Sequence, residues 1–304
     1  MIHGIINVYK EKGFTSHDVV AKLRGIVGQK KIGHTGTLDP DAEGVLPVCL
    51  GRATKLCDLL TDKDKVYETV LLLGTVTDTQ DVSGKILERR DTSSVTEAIL
   101  REKISTFEGG YAQIPPMYSA LKVGGKKLYE LAREGKSVER KPRNIKIYNI
   151  DILKVELPRA KMRVHCSKGT YIRTLCHDIG ESLGCGGCME ELLRTQVSRF
   201  RLENAYTLSQ IEESKEKGKL EELILPIDEM FSEYPKAVVM DRWKKLIYNG
   251  NPFPDRAVLD KLDVRDEEPV RVYDQEEHFI GLYRYRAAKK DYTIMKMFFD
   301  QESL

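Results

Sequence analysis

Long apolar runs are missing from this 304-residue chain. The longest, Val70–Leu73 or Leu56–Leu60 with Asp58 inside it, fall far short of the roughly 18 residues that a membrane-spanning helix needs. The first residues, Met1-Ile2-His3-Gly4-Ile5-Ile6-Asn7, lack a basic start followed by an apolar stretch and a small-residue cleavage site. No signal peptide, no membrane partner and a cytoplasmic location are therefore expected. No segment is dominated by Gly, Pro, Ser or Gln, which sets aside collagen-like and disordered classes. Cysteine is scarce, six in all, too few for a disulfide scaffold in a chain of this length. The one close pair, Cys185-Gly186-Gly187-Cys188, offers two of the four ligands a structural zinc requires, so it reads as a small-residue turn after a helix. No metal is expected. Missing too are a Gly-x-x-x-x-Gly-Lys-Ser/Thr loop, a strand-linked Gly-x-Gly-x-x-Gly and a Gly-x-Ser-x-Gly elbow, the usual marks of nucleotide, dinucleotide and serine-hydrolase chemistry.

Net charge is nearly absent as well, +2 from 49 Lys and Arg against 47 Asp and Glu. Its distribution is uneven. Lys122–Arg173 holds 15 basic and 5 acidic residues, a net +10, which leaves the rest of the chain at −8. A basic segment in an acidic chain suits a phosphate-binding face. Hydrophobic content of 41% is that of a globular chain, and at roughly 150 residues per domain the length suggests two domains.

Ile5–Tyr9 reads as a strand, and Ser16 is expected to cap a helix with Val19, Val20, Leu23 and Ile26 on one side. Gly28–Gly44 is a Gly, Asp and Thr-rich loop longer than a simple connection. Val45–Leu50 and Val66–Gly74 read as strands, Ser94–Phe107 as a helix capped by Ser94 with Glu97, and Leu128–Glu134 as a short helix. Asn144–Val155 and Met162–Ser167 suggest paired strands, Thr170–Leu183 a helix capped by Thr170, and Thr207 with Gln210 another cap. Beyond about Pro235 a short helix, Arg242–Tyr248, precedes strand-like runs at Val270–Tyr273, Phe279–Tyr285 and Thr293–Phe299, the pattern of a small barrel-like module. The expected domains are 1–232 and 233–304.

Three residues stand out chemically. Asp39, in Gly33-His34-Thr35-Gly36-Thr37-Leu38-Asp39-Pro40, precedes a proline that biases it toward extended backbone, so its carboxyl sits on a stiff loop. Arg173 falls in the first turn of its helix, where the macrodipole disfavours a cation by roughly 0.3–1 kcal/mol unless an anion offsets it. Tyr67 shares a strand face with Thr69, Leu71 and Leu73, a core position from which an aromatic ring can also stack on a displaced base.

The octet ending Asp39-Pro40, with Gly44-Val45-Leu46-Pro47 and Gly51-Arg52-Ala53-Thr54-Lys55, resembles the active-site region of the TruB family, the tRNA pseudouridine-55 synthases. Four further blocks agree in order: Lys12–Ser16; Lys65-Val66-Tyr67 leading to Leu73-Gly74 and Thr77–Asp81; Pro115–Lys122 with Gly125, Leu128–Glu130, Ala132, Arg133 and Gly135; and Gly169–Leu175 with Asp178-Ile179-Gly180. Where that family commonly has Leu-Arg-Arg-Thr, this chain reads Leu192-Leu193-Arg194-Thr195.

The resemblance implies an α+β pseudouridine-synthase fold, a mixed and largely antiparallel sheet flanked by helices, with a C-terminal PUA-like RNA-binding β-barrel. It implies isomerisation of a T-loop uridine of tRNA after base flipping, without cofactor, by a monomer. Asp39 would be the nucleophile, with Arg173 paired to it and Tyr67 stacking on the base and sharing in removal of the carbon-5 proton. His34 would fill space beside the flipped nucleotide, Tyr171 and Leu192 would line the pocket, and Lys10 and Lys12 would bind substrate. The alternatives are the same fold acting on another RNA, an RNA-binding or RNA-folding protein, and a metal-dependent hydrolase using Asp39 and the histidines. The tail is expected to be separable, so that a chain ending near Phe231 keeps its activity.

Overall fold

The strict alternation of buried and half-buried residues along Lys65–Leu73 makes one face apolar and the other open. In the computed structural model, which describes residues 1–299, this strand lies within a ten-stranded sheet. From edge to edge the sheet runs Ile224–Leu225, Gly4–Lys10, Glu43–Leu50, Gly187–Val197, Lys65–Leu73, Arg159–Cys166, Arg143–Glu156 and Gly109–Gln113, with Ile32–His34 and Phe200–Arg201 attached at its side. Its pairings are antiparallel except that of Gly187–Val197 with Glu43–Leu50, where Arg194 stands opposite Gly44. The sheet is mixed and largely antiparallel, as expected.

Two helix pairs cover it. Glu97–Ser105 and Ile172–Ser182 bring Leu100, Ile104, Leu175 and Ile179 onto Leu71, Ile147, Met162 and Val164. Ser16–Val27 and Leu208–Glu216 bring Val19, Leu23 and Ile211 onto Ile6, Val8, Leu46 and Val48. Each of these buried aliphatic side chains contributes roughly 1.5–3 kcal/mol relative to exposure.

Helix starts differ from the expected ones by one or two residues. Thr15, not Ser16, caps the first helix in a capping box with Asp18, and Thr96, not Ser94, caps Glu97–Ser105. Tyr171 is the cap residue of Ile172–Ser182, while the Thr170 hydroxyl donates to the Ser167 carbonyl. Neighbouring hydroxyl residues compete for one cap, and the first free N–H decides between them. Thr207 with Gln210 forms the expected box. Of the expected Cys185–Cys188 turn, Cys185 and Gly186 lie in the bend after the Ile172–Ser182 helix while Cys188 already belongs to the Gly187–Val197 strand, and both thiols are buried. This segment packs so closely that a Cβ on Gly180 would fall 2.2 Å from the Gly187 nitrogen.

The tail is a five-stranded sheet in the order Lys236–Val238, Pro269–Tyr273, Phe279–Arg286, Asp291–Met297 and Phe253–Pro254, curled in the manner of a PUA-like domain. Its α-helix is shorter than expected, Lys244–Tyr248, preceded by a 3-10 turn at Asp241–Trp243. It has a core of its own around Phe253, Ile280, Tyr283 and Tyr292. A second cluster ties it to the larger unit: Phe279, Leu282 and Phe298 pack with Ile5, Val45, Leu60 and Phe231. The Tyr273 hydroxyl also donates to Asp228 at 2.7 Å and Lys55 Nζ to the Met297 carbonyl at 2.7 Å. The tail therefore packs against the larger unit, apolar faces of both parts closing on one core.

Candidate active site

The loop carrying Asp39 is held from several sides. Ser16, freed from capping, turns its hydroxyl inward to accept from Leu38 N at 2.9 Å and donate to Leu38 O at 3.3 Å. Gly13 N donates to the Pro40 carbonyl at 2.9 Å, and Ala42 N to the Asp39 carbonyl at 3.1 Å. Lys10 Nζ lies beneath, donating to Ala42 O at 2.5 Å and Pro40 O at 3.0 Å. Fully buried, Lys10 is not presented to the cleft as a substrate-binding lysine would be. Its Nζ is consumed by loop carbonyls, and burial pulls its pKa down to about 8.

Asp39 opens onto a cleft of about 1100 Å³. Arg173, only 5% exposed, grips it with two nitrogens: Nε lies 3.0 Å from Oδ2 and one Nη 3.4 Å from Oδ1. The same guanidinium donates to the carbonyls of Tyr118 at 2.9 Å and Thr79 at 3.1 Å and lies 3.4 Å from Asp81. Two carboxylates and two carbonyls thus offset the macrodipole at this helix start. Asp39 keeps 40% of its side-chain surface open on the cleft side. Protein crowds it elsewhere, and this desolvation pushes its carboxyl above the ordinary aspartate range. Arg173 pulls it back, Asp81 pushes it further up and Lys10 pulls it down.

Tyr67 stands behind this wall, 9% exposed, and burial raises its phenol above the usual value while Arg194 opposes the rise. The His34 ring packs edge-on against His17, 5.4 Å between centroids, and Nδ1 accepts from Gly36 N at 3.3 Å. Burial is the main cause holding its pKa below the ordinary histidine value. Tyr171 is fixed through its backbone, its N–H donating to Gln113 Oε1 at 2.8 Å and its carbonyl accepting from Gln113 Nε2 at 3.0 Å. Lys12 and Leu192 line the cleft, together with Lys127, Tyr129, Arg133 and Lys161 from the basic segment. Some of that segment's charge is neutralised, Lys161 and Arg163 by Glu68 and Arg159 by Glu190.

Geometry thus joins Asp39 and Arg173 directly, puts Lys12 and Leu192 on the cleft wall and moves Lys10 underneath, while Tyr67, His34 and Tyr171 are not among the residues that line the cleft. Sequence reading did not single out the roles of Ser16, Asp81, Gln113 and Arg194. Ser16, Asp81 and Arg194 lie within segments that carry the family resemblance, whereas a buried glutamine carries no local signal. A metal has one candidate group of three side chains among the described residues, Asp274, Glu276 and His278 in the tail. Lys244 Nζ already sits 2.8 Å from Glu276 and 3.7 Å from Asp274, and Tyr248 and two backbone N–H groups occupy the Asp274 oxygens, so this group clamps a turn.

Residues 24–172 match the model of the TruB family pseudouridylate synthase N-terminal domain, and residues 173–232 that of the tRNA pseudouridylate synthase B C-terminal domain. The chain is 57% identical to tRNA pseudouridine synthase B of Lachnoclostridium phytofermentans, over 98% of its own length and 100% of that protein's. It is 45% identical to the Clostridium tetani protein of that name, over 97% and 99%. Among solved structures, a chain of an H/ACA ribonucleoprotein bound to a substrate RNA containing 2'-deoxyuridine is similar with a TM-score of 0.72 and 25% identity, over 98% of this chain and 86% of that one. A chain of a Cbf5-Nop10-Gar1 complex gives 0.71 and 27%, over 98% and 86%.

Proposed function

This chain belongs to the TruB family of pseudouridylate synthases, and from that premise we propose that it isomerises uridine 55, in the T-loop of tRNA, with Asp39 as the nucleophile. The reaction breaks the glycosidic C–N bond, turns the base and joins carbon 5 to the sugar. It is redox-neutral and requires neither an energy donor nor a redox cofactor. The observation that carries the assignment is the Asp39 carboxylate on its braced loop, gripped by a buried arginine at the cleft surface. A carboxylate nucleophile must be ionised where water is excluded, and Arg173 favours that form against desolvation.

The target base lies inside a folded RNA, so it must be flipped out at a cost of a few kcal/mol. Tyr67 is assigned the face of the flipped base and a share in removal of the carbon-5 proton, His34 the space beside the flipped nucleotide, and Tyr171 and Leu192 the pocket wall. Lys12 meets backbone phosphate, and Lys10 serves by bracing the loop. Arg242 and Arg256 flank the Trp243 ring at 5.9 and 6.0 Å, giving the tail a cationic aromatic surface for RNA away from the target uridine. The enzyme acts as a monomer in the cytoplasm, and no helix among the described residues is long and apolar enough to cross a membrane.

Unmodified tRNA transcripts incubated with the protein in excess EDTA test this reading. Pseudouridine is expected at the T-loop uridine alone and is abolished when that uridine is changed to cytidine. Product only on ribosomal RNA, or activity that requires added zinc, overturns it.

A further inference from the structure

Arg194 is among the largest side chains completely withdrawn from solvent, at 2% exposure. Its hydrogen-bond acceptors among the described residues are the Val45 carbonyl at 2.7 Å from Nε and the Gly36 carbonyl at 3.3 Å from an Nη, and Tyr67 stands beside it on the neighbouring strand. None of these is a carboxylate. Burying a guanidinium without an anion is costly, and two neutral carbonyls repay that only in part. The cation's surroundings make the position harder still, since Lys10, Lys65 and His34, lowered chiefly by burial, are each lowered further by its charge. A leucine would fill such a place with no charge to desolvate.

What the charge does there follows from the register. Arg194 is the direct cross-strand partner of Tyr67 and, on its other side, of Gly44. Its guanidinium spans from the Tyr67 strand to Gly36, three residues before Asp39 on the catalytic loop. We propose that Arg194 is a positioning residue for Tyr67, donating to its oxygen and pairing with the phenolate that removes the carbon-5 proton. This inference rests on the isomerisation reading of the cleft.

The step balances. Once carbon 5 is joined to the sugar it still carries its proton. The phenolate oxygen takes that proton, the C–H electron pair restores the ring double bond, and Tyr67 returns the proton to solvent while N1 of the base gains one from solvent. Burial is the main force against ionisation of the Tyr67 hydroxyl, and Cys166 from the neighbouring strand and Asp39 from the loop oppose it further. Arg194 is the group that favours it. Arginine suits the task because its planar fork can hold two carbonyls and a phenol oxygen at once.

The test combines a readout independent of activity with kinetics. In protein labelled with 3-fluorotyrosine, the Tyr67 resonance is assigned by its loss in Tyr67→Phe, then titrated in wild type, Arg194→Gln and Arg194→Lys. Tyr67 is expected to ionise at lower pH in wild type than in Arg194→Gln, with Arg194→Lys between them. On a tRNA transcript, Arg194→Gln is expected to lower kcat about 100-fold, the scale of a lost acid–base contribution, with tRNA affinity near wild type. In the Tyr67→Phe background it should cost nothing further. An unmoved Tyr67 titration, a change in KM alone, or multiplicative losses overturns the proposal. If the Arg194 variants do not fold, protein with 15N-labelled arginine decides: one guanidinium signal moves on Tyr67→Phe, and none moving overturns the pairing. A wild-type protein that makes no pseudouridine would sink the isomerase reading while leaving the two spectroscopic results standing.

Discussion

Arg173 holds Asp39 by two nitrogens, and a lysine can supply only a point charge in their place. Arg173→Lys is expected to lower kcat/KM by roughly 10–100-fold, the loss of about 1.5–3 kcal/mol from a charge-assisted contact. Arg173 also lowers the Asp39 pKa. With its grip weakened, the acid limb of the kcat/KM profile should move to higher pH; a limb that stays in place in an otherwise active variant contradicts the pairing. Asp178 offers a second test of charge. Its carboxyl finds no hydrogen-bond donor among the described residues, and burial pushes its pKa up to about 6 from 3.8. The folded state therefore binds more protons than the unfolded one between those values, so stability falls as pH rises through that window and stays reduced above it. Asp178→Asn should melt near wild type at pH 4 but higher than wild type at pH 7.5, by calorimetry. An equal offset at both pH values would show that packing, not ionisation, sets the difference.

The parallel junction between Glu43–Leu50 and Gly187–Val197 lets Arg194 reach the loop, and Gly44 makes it possible. At φ +107 it occupies backbone that other residues rarely adopt, and a Cβ there would lie 2.2 Å from the Arg194 carbonyl oxygen. Gly44→Ala is expected to cost roughly 2–6 kcal/mol, combining backbone strain with overpacking; an unchanged denaturant midpoint contradicts the close approach. The strands were readable wherever one face is buried, because period-two alternation records that burial directly, as in Lys65–Leu73. Helix ends were less readable. Thr15 and Ser16 have the same chemistry in adjacent positions, and only the fold shows that one caps while the other stitches the helix to Leu38. A proline neighbour and a misplaced first-turn cation leave local marks at Asp39 and Arg173, and the ordered blocks of the family resemblance turn those marks into a site. Arg194 and Gln113 leave no local mark, since their meaning lies in partners far along the chain, Val45 and Tyr171.

The whole molecule is less modular than its change of texture near Pro235 suggests. Ending the chain at Phe231 would strip Phe279, Leu282 and Phe298 from a core that also holds Ile5, Val45 and Leu60. The truncated protein is expected to melt well below wild type and to bind a hydrophobic dye, whereas an unchanged melting temperature would restore the separable tail. Charge reversal of Arg242 and Arg256 leaves that core intact and isolates the tail's part in RNA binding. It should raise KM and flatten the dependence of affinity on salt, with kcat unchanged.

The most direct measurement is single-turnover conversion of an unmodified tRNA transcript by Asp39→Asn beside wild type, with pseudouridine mapped along the RNA and binding measured in parallel. The amide keeps the shape of the side chain but cannot act as a nucleophile. Wild type is expected to convert the T-loop uridine, and the variant to bind the same tRNA within about tenfold, a shift of 1.4 kcal/mol, while forming no pseudouridine. Measurable product from the pure variant would contradict the role of Asp39.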